Sequence, residues 1–303
     1  NGELLFENTY SQWSSGDTRA VATFELDSDF SQYAMFLTKD ENGYIWLIDS
    51  SGVEVTQEIN FGSDENDLIY GAKETNDGGY IAYGSSHEYD SQDHDSWVIK
   101  FDSMFNQEWV FTYGNEFGDG ALDLAVAQNG DFIFVQYGYQ DTNGETDEII
   151  TLIRINSNGE LLWSNEFNYN PPENWERAYC VAETYQRNII LGGGISPSGF
   201  LLKTDENGNQ LWLNQDLPHT YIQSVAQTNE GGYIIGGNGG TIVKTGSEEI
   251  QPIYLLTPVN NDTIWLGDED DLLDSITFSW NEHYFSEDYT IVMTDDYESE
   301  SIQ

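Results

Sequence analysis

The chain has 303 residues, in which 54 Asp and Glu residues stand against 9 Lys and Arg residues, and its formal net charge is -45. So acidic a surface repels phosphate backbones and anionic lipid headgroups, which excludes binding to nucleic acid and to membrane surfaces. No run of 18 apolar residues occurs, so we expect no membrane insertion. The 29 glycines and 43 aromatic residues (Tyr 19, Phe 15, Trp 9) favour strands and turns over helices.

A polar turn followed by a short apolar strand recurs five times along the chain. The marker position of that strand is Tyr33, Tyr80, Phe132, Asn188 and Tyr233, at spacings of 45 to 56 residues. The copies include ETNDGGYIAYGSS (74–86), AQNGDFIFVQYG (127–138) and QTNEGGYIIGGNG (227–239). A period of about 50 residues is typical of a four-stranded propeller blade.

The remainder of each unit supplies three more strands. An alanine-rich strand precedes the marker strand, and a second apolar run such as SWVIKFD (96–102) follows it. An Asn-Gly turn then leads into an aromatic strand, as in NGELLWSNEF (158–167), and Asn-Gly is a strong hairpin signal. In the second unit Phe105 replaces the turn glycine, which predicts a different geometry or a strained turn there. The one cysteine, Cys180, lies in an alternating stretch typical of a buried strand and can form no internal disulfide.

The fifth unit lacks its fourth strand, and the chain begins with one. That unit ends at TIVKT (241–245), whereas residues 1–10 read NGELLFENTY and match NGELLWSNEF. We therefore predict an all-β fold with a five-bladed β-propeller over residues 1–250, in which strand 2–10 completes the last blade with 220–245. Such closure removes the exposed sheet edges that invite aggregation.

The pattern changes after residue 250. Three alternating strands with Trp280 among them predict the start of an immunoglobulin-like or fibronectin-type sandwich over residues 251–303. About seven strands complete such a domain, so either the protein continues past Gln303, which we favour, or this segment packs on the propeller.

The aligned units resemble a known repeat. The text TNDGGYIAYG…DSWVIKFDSMFNQEWVFTYGNEFGD is similar to the propeller repeat DGGYIxxG…DxWLIKxDxxGxxxW of secreted bacterial proteins, many from the Bacteroidota. The resemblance covers about residues 31–250. It implies an extracellular or cell-surface location, immunoglobulin-like modules and, as in many such proteins, export through type IX secretion machinery. It prescribes no catalytic residues.

One face of a propeller gathers the loops that enter the innermost strands and those that follow the marker strands. Aromatic rings beside carboxylates on that face suit sugar rings, which offer an apolar face and a rim of hydroxyls. The predicted ligand-binding residues, for a glycan or a surface protein, are Trp13, His94, Phe117, Tyr139, Tyr169, Trp175 and His219.

Two acidic features could carry chemistry. In HEYDSQDHDSW (87–97), Asp90, Asp93 and Asp95 could ligate calcium, although the spacing lacks the glycine and terminal Glu of an EF-hand, and a solvated loop is the alternative. Asp67 and Asp119 recur at one blade position, just before the innermost strand. With Glu176 they could form the acid and base of a glycoside hydrolase, but a recurring acid more often caps a strand.

The sequence therefore favours a non-enzymatic binding or spacer module of an exported or surface protein. The first alternative is a polysaccharide-active enzyme that uses the three axial acids. The second alternative is a structural subunit of a surface filament or secretion-associated assembly.

Overall fold

The structure is a computed structural model that describes residues 19–26, 32–52, 55–63, 66–87, 94–142, 145–169, 175–215, 217, 221–246, 255–257 and 279–280. Over these residues the protein is all-β, with one 3-10 turn at Asn238–Gly240. The described part of the chain contains no helix with the length and apolar character needed to cross a membrane.

Strands β1 to β16 form four sheets, each an antiparallel meander of four consecutive strands. Sheet one consists of β1 (Arg19–Glu25), β2 (Gln32–Lys39), β3 (Asn42–Asp49) and β4 (Val55–Phe61). Sheet two consists of β5 (Asp67–Glu74), β6 (Tyr80–Ser86), β7 (Asp95–Phe101) and β8 (Gln107–Tyr113). Sheet three consists of β9 (Gly120–Val126), β10 (Phe132–Thr142), β11 (Glu145–Ile155) and β12 (Leu161–Phe167). Sheet four consists of β13 (Glu176–Glu183), β14 (Ile189–Ile195), β15 (Ser198–Thr204) and β16 (Gln210–Asn214).

Two smaller sheets follow. Sheet five has the order β17 (Ile222–Gln227), β18 (Tyr233–Gly237) and β19 (Thr241–Lys244), and a short pair joins β20 (Leu255–Thr257) to β21 (Ser279–Trp280). The predicted four-stranded unit is thus confirmed four times. The number of blades and the sandwich after residue 250 stay predictions, because residues 1–18 and most of 247–303 lie outside the described part.

The chain divides into two compact units. One comprises Asn1–Ala226 and Ile235–Val243, and it contains sheets one to four entire. The other comprises Gln227–Ile234 and Lys244–Gln303, and it contains the β20–β21 pair.

The core of the first unit lies between successive sheets, and the innermost strands β1, β5, β9 and β13 contact one another in that order. One cluster joins Phe36 of sheet one to Trp97 of sheet two, and another joins Val98 of sheet two to Phe134 of sheet three. Every residue of the middle strands β6, β7 and β14 is buried. These strands lack apolar alternation in the sequence because both of their faces pack against neighbouring sheets.

A β-bulge recurs in every innermost strand of these four sheets. The pairing of the first and second strands shifts by one residue at Val21, Tyr70, Leu122 and Tyr179. The bulge brings the carbonyl oxygen of Leu68 against Gly84, where a Cβ would lie far inside van der Waals contact. The glycine that ends the YIAYG motif is therefore required by the bulge opposite it.

The Phe105 turn has the same backbone geometry as the equivalent glycine turns. Of the two outcomes predicted for it, the structure therefore shows a strained residue and not a different turn geometry. Its φ is 63°, against 66° at Gly52 and 79° at Gly159. The Phe105 ring is buried and stacks on Tyr80 with ring centroids 4.8 Å apart. Packing of that ring offsets the cost of positive φ, which is about 1–2 kcal/mol for a residue with a Cβ.

We expect Phe105→Gly to lower the free energy of unfolding by about 2 kcal/mol, because loss of a buried aromatic side chain, at about 3–5 kcal/mol, exceeds the relieved backbone cost. Denaturant titration measures this difference. Met104→Ala, in the exposed neighbouring position of the same turn, is the matched control and should change stability little. A Phe105→Gly variant as stable as the parent would show that the ring contributes nothing.

Buried cations recur in the third strands. Lys100, Arg154 and Lys203 are each less than 9 % exposed. The Nζ of Lys100 lies 3.0 Å from Asp77 and 3.0 Å from Glu108 and donates a hydrogen bond to the Phe101 carbonyl. Burial raises the pKa of Asp77, but hydrogen bonds from Thr75, Lys100 and the Gly79 N–H outweigh it and lower that pKa to about 2. The few cations of this acidic chain thus join strands together.

Since the pKa of Asp77 is lowered from 3.8, its ionised form stabilises the fold above about pH 4, and that contribution is lost as the pH falls through about 2. We expect Asp77→Asn to lower the free energy of unfolding at pH 7 by about 1 kcal/mol or less, because Asp77 is largely exposed and screened by solvent. Denaturant titration at pH 7 and pH 2 should show a smaller difference at pH 2, where about half of Asp77 is protonated in the folded state. A difference independent of pH would contradict the ion pair.

We propose that strand 2–10 completes sheet five, as the repeat predicts. Its own residues lie outside the described part, but the outermost described strand, β19, leaves Ile242 76 % exposed. In sheet four Leu202 lies opposite Leu213, next to Lys203 opposite Trp212. Alignment of IVKT (242–245) with LLKT (201–204) makes Val243 the equivalent of Leu202. Alignment of NGELLFEN (1–8) with NGNQLWLN (207–214) makes Glu7 the equivalent of Leu213, so we predict Glu7 opposite Val243.

A Glu7→Cys, Val243→Cys double variant should therefore form a disulfide under mild oxidation, since the cross-strand Cβ spacing permits one. Mass spectrometry of peptides detects the bond. The pair Glu7→Cys, Ile242→Cys, shifted by one residue, is the control and should stay reduced. Equal cross-linking of both pairs, or of neither, would refute the register.

Candidate functional site

The structure describes five of the seven predicted ligand-binding residues, and these lie in strands, next to strands or in loops. Tyr139 lies within β10, Trp175 immediately precedes β13, and Phe117 lies in the loop that enters β9. His94 immediately precedes β7, and Tyr169 follows β12. Trp13 and His219 lie outside the described residues, as do Asp90 and Asp93.

Three buried acids cap the loops that enter the innermost strands. The Oδ2 of Asp67 accepts hydrogen bonds from the N–H of Ser63 (2.5 Å) and from its hydroxyl (3.1 Å). The Oδ2 of Asp119 accepts the N–H of Asn115 (2.9 Å), and the Oε2 of Glu176 accepts the N–H of Tyr169 (2.9 Å). All three residues are 0 % exposed. The acid recurs at this position because each copy accepts a backbone N–H of the loop that precedes its strand.

Burial decides what these acids can do. It raises the pKa of Asp119 to about 7, and the negative charges of Asp95 and Glu166 add to this, against the Asn115 N–H, which lowers it. Such a pKa suits a general acid. However, a carboxyl group with no exposed surface cannot reach a glycosidic oxygen, and glycoside hydrolysis requires two acids that flank the substrate. The geometry therefore favours the capping role over the enzyme alternative.

An aromatic cluster with one ion pair lies at the start of β13, the first strand of sheet four. We define it by Trp175, Tyr221, Tyr137, Tyr139, Arg177 and Glu148. The rings of Trp175 and Tyr221 meet edge to face at 4.5 Å, and the Arg177 guanidinium lies 4.5 Å from the Tyr137 ring centroid. Arg177 also donates to Glu148 (Nε to Oε1, 2.7 Å) and to the Tyr139 hydroxyl (3.4 Å). The four rings are half-buried, so each keeps an open part.

The other predicted aromatics serve packing. Tyr169 stacks on Phe167 and packs against the core between sheets three and four, and its hydroxyl donates to Gln210 at 2.7 Å. The N–H of Phe117 donates to Asn115 Oδ1 at 2.7 Å, which closes its loop. The His94 ring contacts the His87 ring at 5.0 Å. The loop that carries Phe117 also contacts the aromatic cluster, because Asn115 Nδ2 donates to the Tyr139 carbonyl at 3.0 Å.

Sequence reasoning identified Tyr139 and Trp175 but missed Arg177, Tyr137, Tyr221 and Glu148. Three of the four lie inside strands, whereas the prediction considered loops alone. One signal was present: Arg177 breaks the small-residue pattern of the innermost strands, and an arginine is rare in so acidic a chain.

A cavity of about 850 Å³ opens along the C-terminal halves of the innermost strands. Its wall includes Lys73, Asp123, Tyr179, Glu183 and Gln223. Asp123 is saturated there, since it accepts hydrogen bonds from Lys73 (3.3 Å), the Tyr83 hydroxyl (3.1 Å) and the N–H of Val181 (2.9 Å). Lys73 and Asp123 of this wall thus pair with groups of the protein itself.

Cys180 is buried as predicted, and burial raises the pKa of its thiol. For the predicted calcium loop, only Asp95 is described, and it is the nearly buried first residue of β7. Across the described ranges, no three His, Cys, Asp or Glu side chains gather closely enough to hold a metal by themselves.

No protein-family model and no curated protein sequence matches the chain. Solved structures similar to it include a protein of unknown function from Bacteroides caccae, at 12 % identity over 69 % of this chain and 71 % of that one, with a TM-score of 0.43. The WD40 β-propeller domain of Doa1 matches at 16 % identity over 72 % and 62 %, with a TM-score of 0.44. PorZ, a surface component of the type-IX secretion system of Porphyromonas gingivalis, matches at 9 % identity over 75 % and 32 %, with a TM-score of 0.43. At these scores the likenesses identify no function.

Proposed function

We propose that this protein is a non-enzymatic binding module of an extracellular or cell-surface protein, and that the aromatic cluster recognises a neutral glycan. The observation that carries the proposal is the half-buried Trp175 and Tyr221 pair. Both rings lie against Gly194, which pairs with Arg177 of the Arg177–Glu148 ion pair. A sugar ring stacks its C–H face on such rings, while a carboxylate and a guanidinium bind its hydroxyls.

Charge selects the class of glycan. Arg177, the cation of the cluster, is one of several Lys and Arg residues that pair with carboxylates in the described part of the chain. A uronate or sulfated sugar would have to displace Glu148 and would meet the repulsion of a chain of net charge -45. Neutral hexose polymers meet neither obstacle.

The surface location is part of the same proposal. It is supported by the resemblance of the repeats to exported propellers of the Bacteroidota and by the acidic composition, which suits extracellular salt. Association with type IX secretion machinery rests on that resemblance alone. The filament or assembly alternative stays open and would appear as head-to-tail oligomers in solution.

We expect neutral oligosaccharides to bind with affinities in the range of about 10⁻⁵ to 10⁻³ M, detected by titration calorimetry after a screen of neutral and acidic glycans. Trp175→Ala should weaken the selected ligand at least tenfold, because the stacking platform is lost. Tyr185→Ala is the matched control: Tyr185 is an exposed tyrosine beyond the other end of β13, and its loss should leave binding unchanged.

Three results would contradict the proposal. The first is a preference for acidic over neutral glycans, and the second is equal binding by the Trp175→Ala variant and the parent. The third is turnover of a bound glycan that is abolished by Asp119→Asn, which would favour the enzyme alternative instead.

A further inference from the structure

The hairpin of β10 and β11 is longer than the corresponding hairpins of sheets two and four. It pairs 11 residues of each strand, whereas β6 with β7 and β14 with β15 pair 7. Counted from Phe132 opposite Ile155, the eighth pair is Tyr139 opposite Glu148. Both of these side chains reach Arg177 of sheet four. The polar groups beside Arg177 therefore come from a segment that sheets two and four do not have.

Two contacts hold this hairpin extension independently of Arg177. Asn168, which follows β12, donates from Nδ2 to Asp147 Oδ2 at 2.6 Å, and Asp147 is 3 % exposed. Asn115 donates from Nδ2 to the Tyr139 carbonyl at 3.0 Å. We therefore expect the extension to keep its place when the Glu148 carboxylate is removed.

Arg177 is held in the way that suits a carboxylate-binding group. Its guanidinium lies 4.5 Å from the Tyr137 ring centroid, and its Nε and one terminal nitrogen both donate to Glu148 Oε1. The side chains of Arg177 and Glu148 are 26 % and 8 % exposed, so solvent screens this pair only in part. A guanidinium fixed in this way offers its fork of N–H groups to carboxylate oxygens, whether these belong to the protein or to a ligand.

The stacking rings lie over the residue that pairs with Arg177. Gly194 of β14 is opposite Arg177 of β13. A Cβ on Gly194 would stand 2.6 Å from the Tyr221 ring and 2.8 Å from the Trp175 ring. The ring pair and the ion pair are thus neighbours, so the charge on Arg177 and its partner acts on any sugar stacked there.

We propose that Glu148 is the specificity-determining residue of the aromatic cluster. Its carboxylate fills the position on Arg177 that the carboxylate of a uronate would take, and so restricts the cluster to neutral sugars. Without that carboxylate the guanidinium is free beside the rings, and the preferred ligand becomes a uronic acid. This inference rests on the proposed glycan binding, and it adds that the longer hairpin of sheet three determines the selectivity.

The first test uses acetate, which needs no sugar to bind. The full chain and its Glu148→Ala variant are unfolded by heat in sodium acetate and in sodium chloride of the same ionic strength. Acetate should raise the unfolding temperature of the variant and not that of the parent, because it replaces the missing carboxylate on a half-buried guanidinium. The double variant Glu148→Ala, Arg177→Gln should lose this response.

The second test measures selectivity by titration calorimetry with methyl glucoside and methyl glucuronide, which differ only at C6. Glu148→Ala should bind the glucuronide at least tenfold more tightly than the parent does, since a charge-assisted hydrogen bond forms. Glu166→Ala is the matched control, because it removes an exposed carboxylate from β12 and changes the net charge equally. It should bind the glucuronide as the parent does.

The inference is overturned if acetate stabilises Glu148→Ala no more than chloride does, or if the double variant responds like the single one. An acetate response in Glu148→Ala, with no neutral glycan bound by the parent, keeps Glu148 as the carboxylate that fills the Arg177 position and contradicts the proposed glycan binding instead. If Glu148→Ala fails to fold by circular dichroism even in acetate, Glu148→Gln decides the matter. That variant keeps the shape of the side chain without its charge and should gain glucuronide affinity severalfold, so an unchanged affinity would overturn the inference.

Discussion

The fold of the four complete sheets depends on buried carboxylates. One lies at the entry of each innermost strand after the first, that is, of β5, β9 and β13. A meander of four strands ends at its outer edge, and the chain must return to begin the next sheet inside. The loop that returns carries backbone N–H groups into a buried region, and an unpaired buried N–H is costly. Asp67, Asp119 and Glu176 each accept one of these N–H groups. Where the loop is longer, before β13, the acid is the longer Glu.

The repeat made much of this fold predictable. Strand order, the Asn-Gly hairpins and the burial of Cys180 followed from turn chemistry and apolar runs, which are local properties. The bulges did not, because a bulge at Tyr70 or Tyr179 depends on pairing with a partner strand that the local sequence does not specify. The conformation at Phe105 was uncertain for a similar reason: whether a side chain tolerates positive φ depends on the ring it meets, here Tyr80.

The candidate site was predicted in part. Tyr139 and Trp175 were found as aromatics near loops, but their relation to Arg177 and Glu148 depends on two adjacent sheets packing together. Conversely, Tyr169 and Phe117 fitted the same sequence criterion and serve packing or loop closure. Aromatic character in a loop therefore does not separate binding residues from packing residues in a blade. A departure from the repeat, such as Arg177 in an innermost strand, is a better sequence signal for a candidate site.

The same distinction governs how the acids are interpreted. An acid that recurs at one position in successive sheets satisfies a need that every sheet has, while an acid found in one sheet satisfies a local need. Recurrence at successive strand entries therefore indicates a structural role for the buried carboxylates of this chain, which has 54 acidic residues.

The central claim is that the buried acids hold the entry loops. Amide hydrogen exchange at Ser63, Asn115 and Tyr169 tests it most directly, because these loop N–H groups are protected only if the carboxylates accept them. We expect exchange to be at least about a hundredfold slower at these three amides than at the neighbouring loop amide of Glu116. Exchange at the rate of an open loop would contradict it.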